Sequence, residues 1–378
     1  MDYRFTAEQE ALKQHVRTLA EEKLAPMAEE IEERDDIQPG MVRILAEGEL
    51  FRLLFPKEYG GAGEVSAVKI CIAREQLSRI SLVADTTLAM SGLGCYAIAH
   101  YGTEAQKRKY IPPLAAGEKL GSFGLTEPMA GSDVANIQST AVLEGDHYIL
   151  NGRKRFISNG NAADTLVVFA KTAPEKRAQG ISAFILEKGT PGFESRYMKL
   201  MFAHDLAELQ FKDCRLPAEN RLGEPGQGWT IALGNLDLFR PTIAASSVGC
   251  GQAALDMALD YARKRHAFGR PIAGFQAIQF KLADMATELV AARCLVYRAA
   301  SLHDSGEEGL IKEASMAKLF ASEAAKRIVD QAMRIHGGLG IVKGNRIERL
   351  YRQITMGIFG EGTSEIQKLT IARQLLKN

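Results

Sequence analysis

Tyr148-Ile149-Leu150-Asn151-Gly152-Arg153-Lys154-Arg155-Phe156-Ile157-Ser158-Asn159-Gly160 opens a part of the chain whose texture is β rather than helical. The short β-prone runs 148–150, 156–157, 165–169, 181–186 and 209–211 are separated by Asn151-Gly152, Asn159-Gly160-Asn161 and Pro191-Gly192, which are turn chemistry. Residues 122–225 therefore read as a middle antiparallel β domain. On the N-terminal side, apolar positions recur at helical spacing over 6–46, 66–79 and 96–116, punctuated by Pro56, Gly60-Gly61 and Pro112-Pro113. Residues 1–121 read as a helical domain. On the other side the helical period returns beyond Trp229, breaks at Gly269-Arg270-Pro271 and resumes, so residues 226–378 read as a bundle of long antiparallel helices. The class is α+β with the strands gathered in the middle, not the alternation of a doubly wound sheet.

The chain has 378 residues, 46% hydrophobic and 25% charged, which fits a globular protein of two or three domains. Lys plus Arg number 47 against 46 Asp plus Glu, a net charge of +1 that argues against nucleic acid as the main partner. Cys71, Cys95, Cys214, Cys250 and Cys294 never fall in C-x-x-C spacing, so neither a disulfide framework nor zinc is indicated and a reducing compartment is expected. Met1-Asp2-Tyr3-Arg4 opens without a basic, then apolar, leader, and no run of about 18 apolar residues occurs. No membrane association and a cytoplasmic location are expected. None of the seven histidines pairs at ligand spacing, so no metal is expected. No G-x-S-x-G occurs, and the glycine pairs Gly92/Gly94 and Gly249/Gly251 lie inside helical periodicity, where they fit close packing better than a dinucleotide turn.

Three clusters remain. Leu125-Thr126-Glu127-Pro128-Met129-Ala130-Gly131-Ser132-Asp133 is too polar and Gly/Pro-rich for a core, and also fits a turn or helix cap. Arg153 to Gly160 places Phe156 and Ser158 two apart on one strand face, and also fits an ordinary hairpin. In Ile358-Phe359-Gly360-Glu361-Gly362-Thr363-Ser364-Glu365-Ile366-Gln367, Thr363 or Ser364 can cap a helix with Glu361 a solvated loop acid. The glycines flanking Glu361 equally leave its N–H open and its carboxylate free to act as a base.

In this order and at these separations the clusters resemble the acyl-CoA dehydrogenase family of flavoproteins. The resemblance spans essentially the whole chain, with further matches at Phe5-Thr6-Ala7-Glu8-Gln9, Phe55-Pro56-Lys57-Glu58-Tyr59-Gly60-Gly61, Tyr101-Gly102-Thr103-Glu104, Arg265-His266-Ala267-Phe268-Gly269, Phe275-Gln276 and His336-Gly337-Gly338-Leu339-Gly340. It implies N-terminal helices, a middle β domain and a C-terminal four-helix bundle, a homotetramer with FAD, and electron-transferring flavoprotein as acceptor. By motif, Phe123, Leu125, Thr126, Gly131, Ser132, Phe156 and Ser158 line the flavin, with Thr363 and Glu365 also on the cofactor. Arg265, Phe268, Gln276, Gly337 and Gly338 reach the FAD of a neighbouring subunit. Glu361 matches the base that removes the proton α to the thioester, giving a trans-2-enoyl product. Ser132, Asp237, Phe239, Arg240, Gly360 and Gly362 match substrate positions, and Arg373 a residue near CoA.

Gly360 stands where many straight-chain relatives carry an aromatic residue, and Phe239 where some place their base. Together they imply a short, branched or cyclic acyl group. The segment Lys199-Leu200-Met201-Phe202-Ala203-His204-Asp205-Leu206-Ala207-Glu208-Leu209 departs from the family's version near the CoA end of the ligand, which leaves an acyl group on a carrier protein as the alternative substrate, with a dehydrogenase or oxidase outcome. Arg334 replaces a glutamine that often faces the neighbouring FAD.

Overall fold

The computed structural model describes residues 5–307 and 310–377, so Met1-Asp2-Tyr3-Arg4 lie outside the described residues. In chain order, helices α1 (Ala7–Leu19), α2 (Ala28–Ile31), α3 (Pro39–Glu47), α4 (Ala67–Ser78), α5 (Leu82–Tyr101) and α6 (Glu104–Ala115) come first. Strands β1 (Gly121–Gly124), β2 (Thr140–Glu144), β3 (His147–Ser158), β4 (Thr165–Lys171), β5 (Ile181–Glu187), β6 (Phe193–Tyr197), β7 (Leu206–Pro217) and β8 (Arg221–Leu222) follow. The rest is α7 (Gly228–Lys264), a small β9–β10 ribbon (His266–Ala267, Arg270–Pro271), α8 (Gln276–Asp304), α9 (Leu310–His336), α10 (Arg346–Gln353), α11 (Met356–Phe359) and α12 (Ser364–Leu375). Helices at both ends and a central sheet make this the α+β class expected above.

By contacts the chain falls into two compact units, one of Met1–Glu32, Ser66–Asp85 and Asp237–Asn378, the other of Glu33–Val65 and Thr86–Leu236. In the second unit the strands form one sheet ordered β6-β7-β3-β2-β4-β5-β8, with β1 also on β4. Pairing is antiparallel except for β1 on β4 and a single parallel pair of β2 with β4. β4 and β5 are buried along nearly their whole length, which is why Leu166-Val167-Val168-Phe169 and Ile181 to Leu186 read as continuous apolar runs instead of alternating ones.

Two punctuation marks read from sequence act differently in the structure. Asn151-Gly152 is not a turn: β3 runs through it, and the pairing with β7 shifts register between Leu150 and Gly152. Gly152 sits at φ +143°, and a Cβ there would lie 2.2 Å from Ser139 Oγ, so glycine serves a bulge and a close approach. Pro112 and Pro113 lie inside α6 and do not end it. They occupy its last turns, after the solvent-exposed Arg108 and Lys109, where the carbonyls left without an N–H partner can turn to water.

In the first unit α9 packs against α8 and α12 through small buried residues, Ala314, Ala317, Ala321, Ala324 and Ala325, with Lys318 on the same buried face. Helix α5 is long and apolar enough to cross a membrane, and 89% of that window is buried, as in a core helix.

Candidate active site

The loop between α11 and α12 carries Glu361 in the left-handed region, φ +55°, followed by Gly362 at φ +98°. A side chain on Gly362 would place its Cβ 2.7 Å from Gln367 Nε2. Of the two candidate caps, Thr363 takes the role, its hydroxyl accepting from the Ile366 N–H at 3.3 Å, while Ser364 donates to the Glu323 carboxylate at 2.6 Å. The turn is tied from two helices. Gln367 Nε2 donates to the carbonyls of Glu361 and Gly362 at 3.1 Å each, and Lys318 Nζ donates to the Gly362 carbonyl at 2.6 Å.

Both carboxylate oxygens of Glu361 are buried without a hydrogen-bond partner among the described residues. Burial pushes this carboxyl up to about 7, against the opposing charges of Arg74, Lys318 and Arg240, with Asp85 adding to the rise. The Glu361 N–H also donates to no group among the described residues. Two of the three cations have carboxylates of their own. Arg74, fully buried, makes a two-point pair with Asp85 at 2.9 Å and 2.9 Å and donates to Thr242 Oγ1 at 2.8 Å, and Ser246 Oγ donates to Asp85 at 2.7 Å. Arg240, 8% exposed, pairs with Asp237 at 3.1 Å.

Sequence reading missed Arg74, Asp85, Lys318 and Gln367 as part of this site. The available signal was a charged residue on an otherwise apolar face: Arg74 follows Ile70-Cys71-Ile72-Ala73, and Lys318 stands one turn from Ala314 and Ala321. Of the other expected residues in this unit, Phe239 and Arg240 are buried and Asp237 is half-buried. Gly360 ends α11, and a Cβ on it would lie 3.3 Å from Ile243 Cδ1, so the place of the missing side chain is closely bounded. Glu365 and Arg373 are exposed on α12. Arg265, Phe268 and Gln276 are exposed around the β9–β10 ribbon, Phe268 at 96% and with φ +52°. Gly337 and Gly338 are exposed, and a Cβ on either would meet nothing within 4 Å.

In the other unit, Phe123 lies on β1 edge-on to Phe169. Leu125 and Thr126 follow it; their carbonyls accept from Lys154 Nζ at 3.1 Å and the Arg155 N–H at 2.8 Å. Gly131 and Ser132 are exposed beyond a tight turn at Glu127–Ala130. Glu127 rivets this loop by pairing with the buried Lys154 at 2.8 Å and accepting from the Ser139 N–H at 3.0 Å. Burial would raise the Glu127 carboxyl, but the Lys154 ammonium and the backbone donors outweigh it and hold it below the usual range. Phe156 and Ser158 do not follow simple alternation. A second register shift falls between Lys154 and Ile157, and Phe156 takes φ +60°, so its ring is 55% exposed although Lys154, two residues before, is buried. The Arg155 guanidinium lies 5.2 Å from that ring. Ser158 Oγ is 2.8 Å from His204 Nε2, whose imidazole burial pulls down to about 4 and keeps neutral. The segment around His204 is thereby clamped to the end of β3, with the Asp205 carbonyl accepting from the Asn159 N–H at 2.9 Å.

The exposed Phe156 ring on β3 offers a flat apolar face of the kind a planar cofactor stacks on, and, in the other unit, a dry carboxylate with an unused N–H fits proton removal from carbon. Family models for the acyl-CoA dehydrogenase N-terminal, middle and C-terminal domains match residues 6–118, 122–214 and 226–376. An acyl-CoA dehydrogenase of Bacillus subtilis is 44% identical over 98% of both chains. Butyryl-CoA dehydrogenase from Megasphaera elsdenii superposes with a TM-score of 0.95 at 38% identity over all of both chains. A chain in the structure of the electron transferring flavoprotein of Acidaminococcus fermentans does so at 0.97 and 42%, again over all of both chains. The chain belongs to the acyl-CoA dehydrogenase family: it is an FAD-dependent oxidoreductase acting on acyl-CoA.

Proposed function

We propose that this enzyme dehydrogenates short acyl-CoA thioesters, branched or cyclic ones included, at the α,β bond with Glu361 as base. The observation that carries the reading is the Glu361 carboxylate, buried and unpaired at both oxygens. Leaving a carboxylate dry without a partner is costly, and such groups collect where a base is needed. With its carboxyl near 7, Glu361 is partly ionised at neutral pH and accepts the α-proton onto a carboxylate oxygen, becoming the neutral form that burial favours. Its own N–H is placed to donate to the thioester oxygen as negative charge develops there. FAD, when bound, would supply the acceptor for the hydride leaving the β carbon.

Phe123, Leu125, Thr126, Gly131, Ser132, Phe156 and Ser158 hold that flavin, assisted by Thr363 and Glu365. The exposed Arg265, Phe268 and Gln276, with Gly337 and Gly338, serve the flavin of a neighbouring copy in a homotetramer. Asp237, Phe239, Arg240, Gly360, Gly362 and Ser132 bound the substrate and Arg373 its CoA end. A short acyl group is supported by the filled position of Phe239, by the closeness of Ile243 to Gly360, and by the likeness to a butyryl-CoA dehydrogenase. Electron-transferring flavoprotein as acceptor is supported by the likeness to the Acidaminococcus chain.

Anaerobic titration with a panel of acyl-CoA thioesters, followed by flavin bleaching, tests the reading. Short esters bleach the wild type and fail to bleach Glu361→Gln. A kcat/KM favouring long straight chains, or full bleaching of Glu361→Gln, overturns it.

A further inference from the structure

Lys318 faces the base loop from α9. Its side chain is fully buried, its ammonium donates to the Gly362 carbonyl at 2.6 Å, and among the described residues it forms no ion pair within 4 Å. The charged groups acting on it are Glu361 first, then Arg240, Glu323 and Glu365; those acting on Glu361 are Arg74, Lys318, Arg240 and Asp85. Arg74 and Arg240 are each already matched by a carboxylate of their own, Asp85 and Asp237. Of the three, Lys318 is the cation that has no ion pair among the described residues, and Glu361 is the charged group that acts on it most.

We infer that Lys318 is a positioning residue for the reaction, fixing the left-handed turn of Glu361 through the Gly362 carbonyl and keeping the neighbouring carboxylate ionised through its own charge. This rests on Glu361 being the base. A non-glycine residue at φ +55° persists only where its surroundings over-determine it, and the Gly362 carbonyl is gripped by both Lys318 and Gln367. A charge-assisted bond at 2.6 Å is the stronger grip. Burial pulls the Lys318 ammonium down to about 8, so base and ammonium are charged together in a narrow range around neutrality.

The test is the pH dependence of kcat/KM of the FAD-loaded enzyme with a short acyl-CoA, in wild type, Lys318→Met, Lys318→Gln and Lys318→Arg. An opposing charge close by lowers a carboxylate by about one unit or more, so removing it moves the acid limb up by about one pH unit in both neutral variants. At pH 7 kcat/KM then falls roughly five- to ten-fold, mainly in kcat, and the deficit closes as the pH rises. Lys318→Arg restores the wild-type limb. An equal loss at every pH with the limb unmoved marks a merely structural lysine and overturns the inference. So does failure of both neutral variants to fold beside a folded Lys318→Arg. Turnover surviving in Glu361→Gln sinks the base reading itself, whereas an unmoved limb in Lys318→Met beside an inactive Glu361→Gln sinks the Lys318 role alone.

Discussion

The proposed base, Glu361, is held in a state that costs the fold stability, and replacing it with its neutral isostere should recover that cost at one end of the pH scale only. In the folded chain the Glu361 carboxyl is raised from 4.5 to about 7. The unfolded chain gives up this proton above about 4.5, while the folded chain retains it until about 7, so stability falls as pH rises through that window. At about 1.4 kcal/mol per unit, the loss at pH 8 is on the order of 3 kcal/mol. Glu361→Gln removes the titration. Its amide stays unpaired in the same dry site, which costs about 1–3 kcal/mol, but that cost does not vary with pH. Urea unfolding of wild type and Glu361→Gln between pH 4.5 and 8.5 isolates the effect. The difference in unfolding free energy should shift in favour of the variant by on the order of 3 kcal/mol across that range, while turnover falls by roughly 10²–10⁴. A difference that stays flat with pH, or moves toward the wild type, would refute the description of Glu361 as a carboxyl raised by burial.

Three further outcomes follow from the geometry. Asp85→Asn leaves Arg74 as an uncompensated buried charge, which should cost about 3–5 kcal/mol in urea unfolding; the freed charge then acts on Glu361 and moves the acid limb of kcat/KM to lower pH, opposite to Lys318→Met. Gly152→Ala, which must fit a Cβ 2.2 Å from Ser139 Oγ at φ +143°, should lower stability by about 2 kcal/mol or more, whereas Gly145→Ala, at φ +62° with nothing within 4 Å, should lose only about 1 kcal/mol in the same melt. Phe268→Ala removes a ring that is 96% exposed, so loss of FAD on gel filtration, read from the ratio of flavin to protein absorbance, should rise while the secondary structure seen by circular dichroism holds; unchanged FAD retention counts against a cofactor role for this ring.

The fold was legible wherever local chemistry and burial agree. The helical period over 66–79 became α4, whereas the capping boxes of Thr6 with Gln9 and Thr103 with Gln106, which start α1 and α6, were a signal left unread. β4 and β5 are apolar throughout because both their faces are covered. Asn151-Gly152 misled because the same dipeptide serves a turn and a bulge, and only the approach of Ser139 decides between them. Phe156 was singled out by motif, but its exposure depends on a register shift that a period of two cannot show.

The Glu361 loop shows the same limit at the level of charge. Two flanking glycines suffice to suggest an accessible Glu361, and the structure agrees that Gly362 needs its freedom. What makes the carboxylate useful is not local. Three cations arrive from α4, α7 and α9, at sequence distances from 43 to 287 residues, and two of them bring their own carboxylates. Had all three been unpaired, Glu361 would be held as a permanent carboxylate, a weak proton acceptor; had none been present, burial alone would leave it protonated at neutral pH. Asp85 and Asp237 therefore act on the proposed base through the cations they pair with, and Asp85 also directly. On this account Asp85→Asn and Lys318→Met should displace the acid limb in opposite directions, and combining them should return it toward the wild-type position, a compensation that a purely structural role for either residue does not produce.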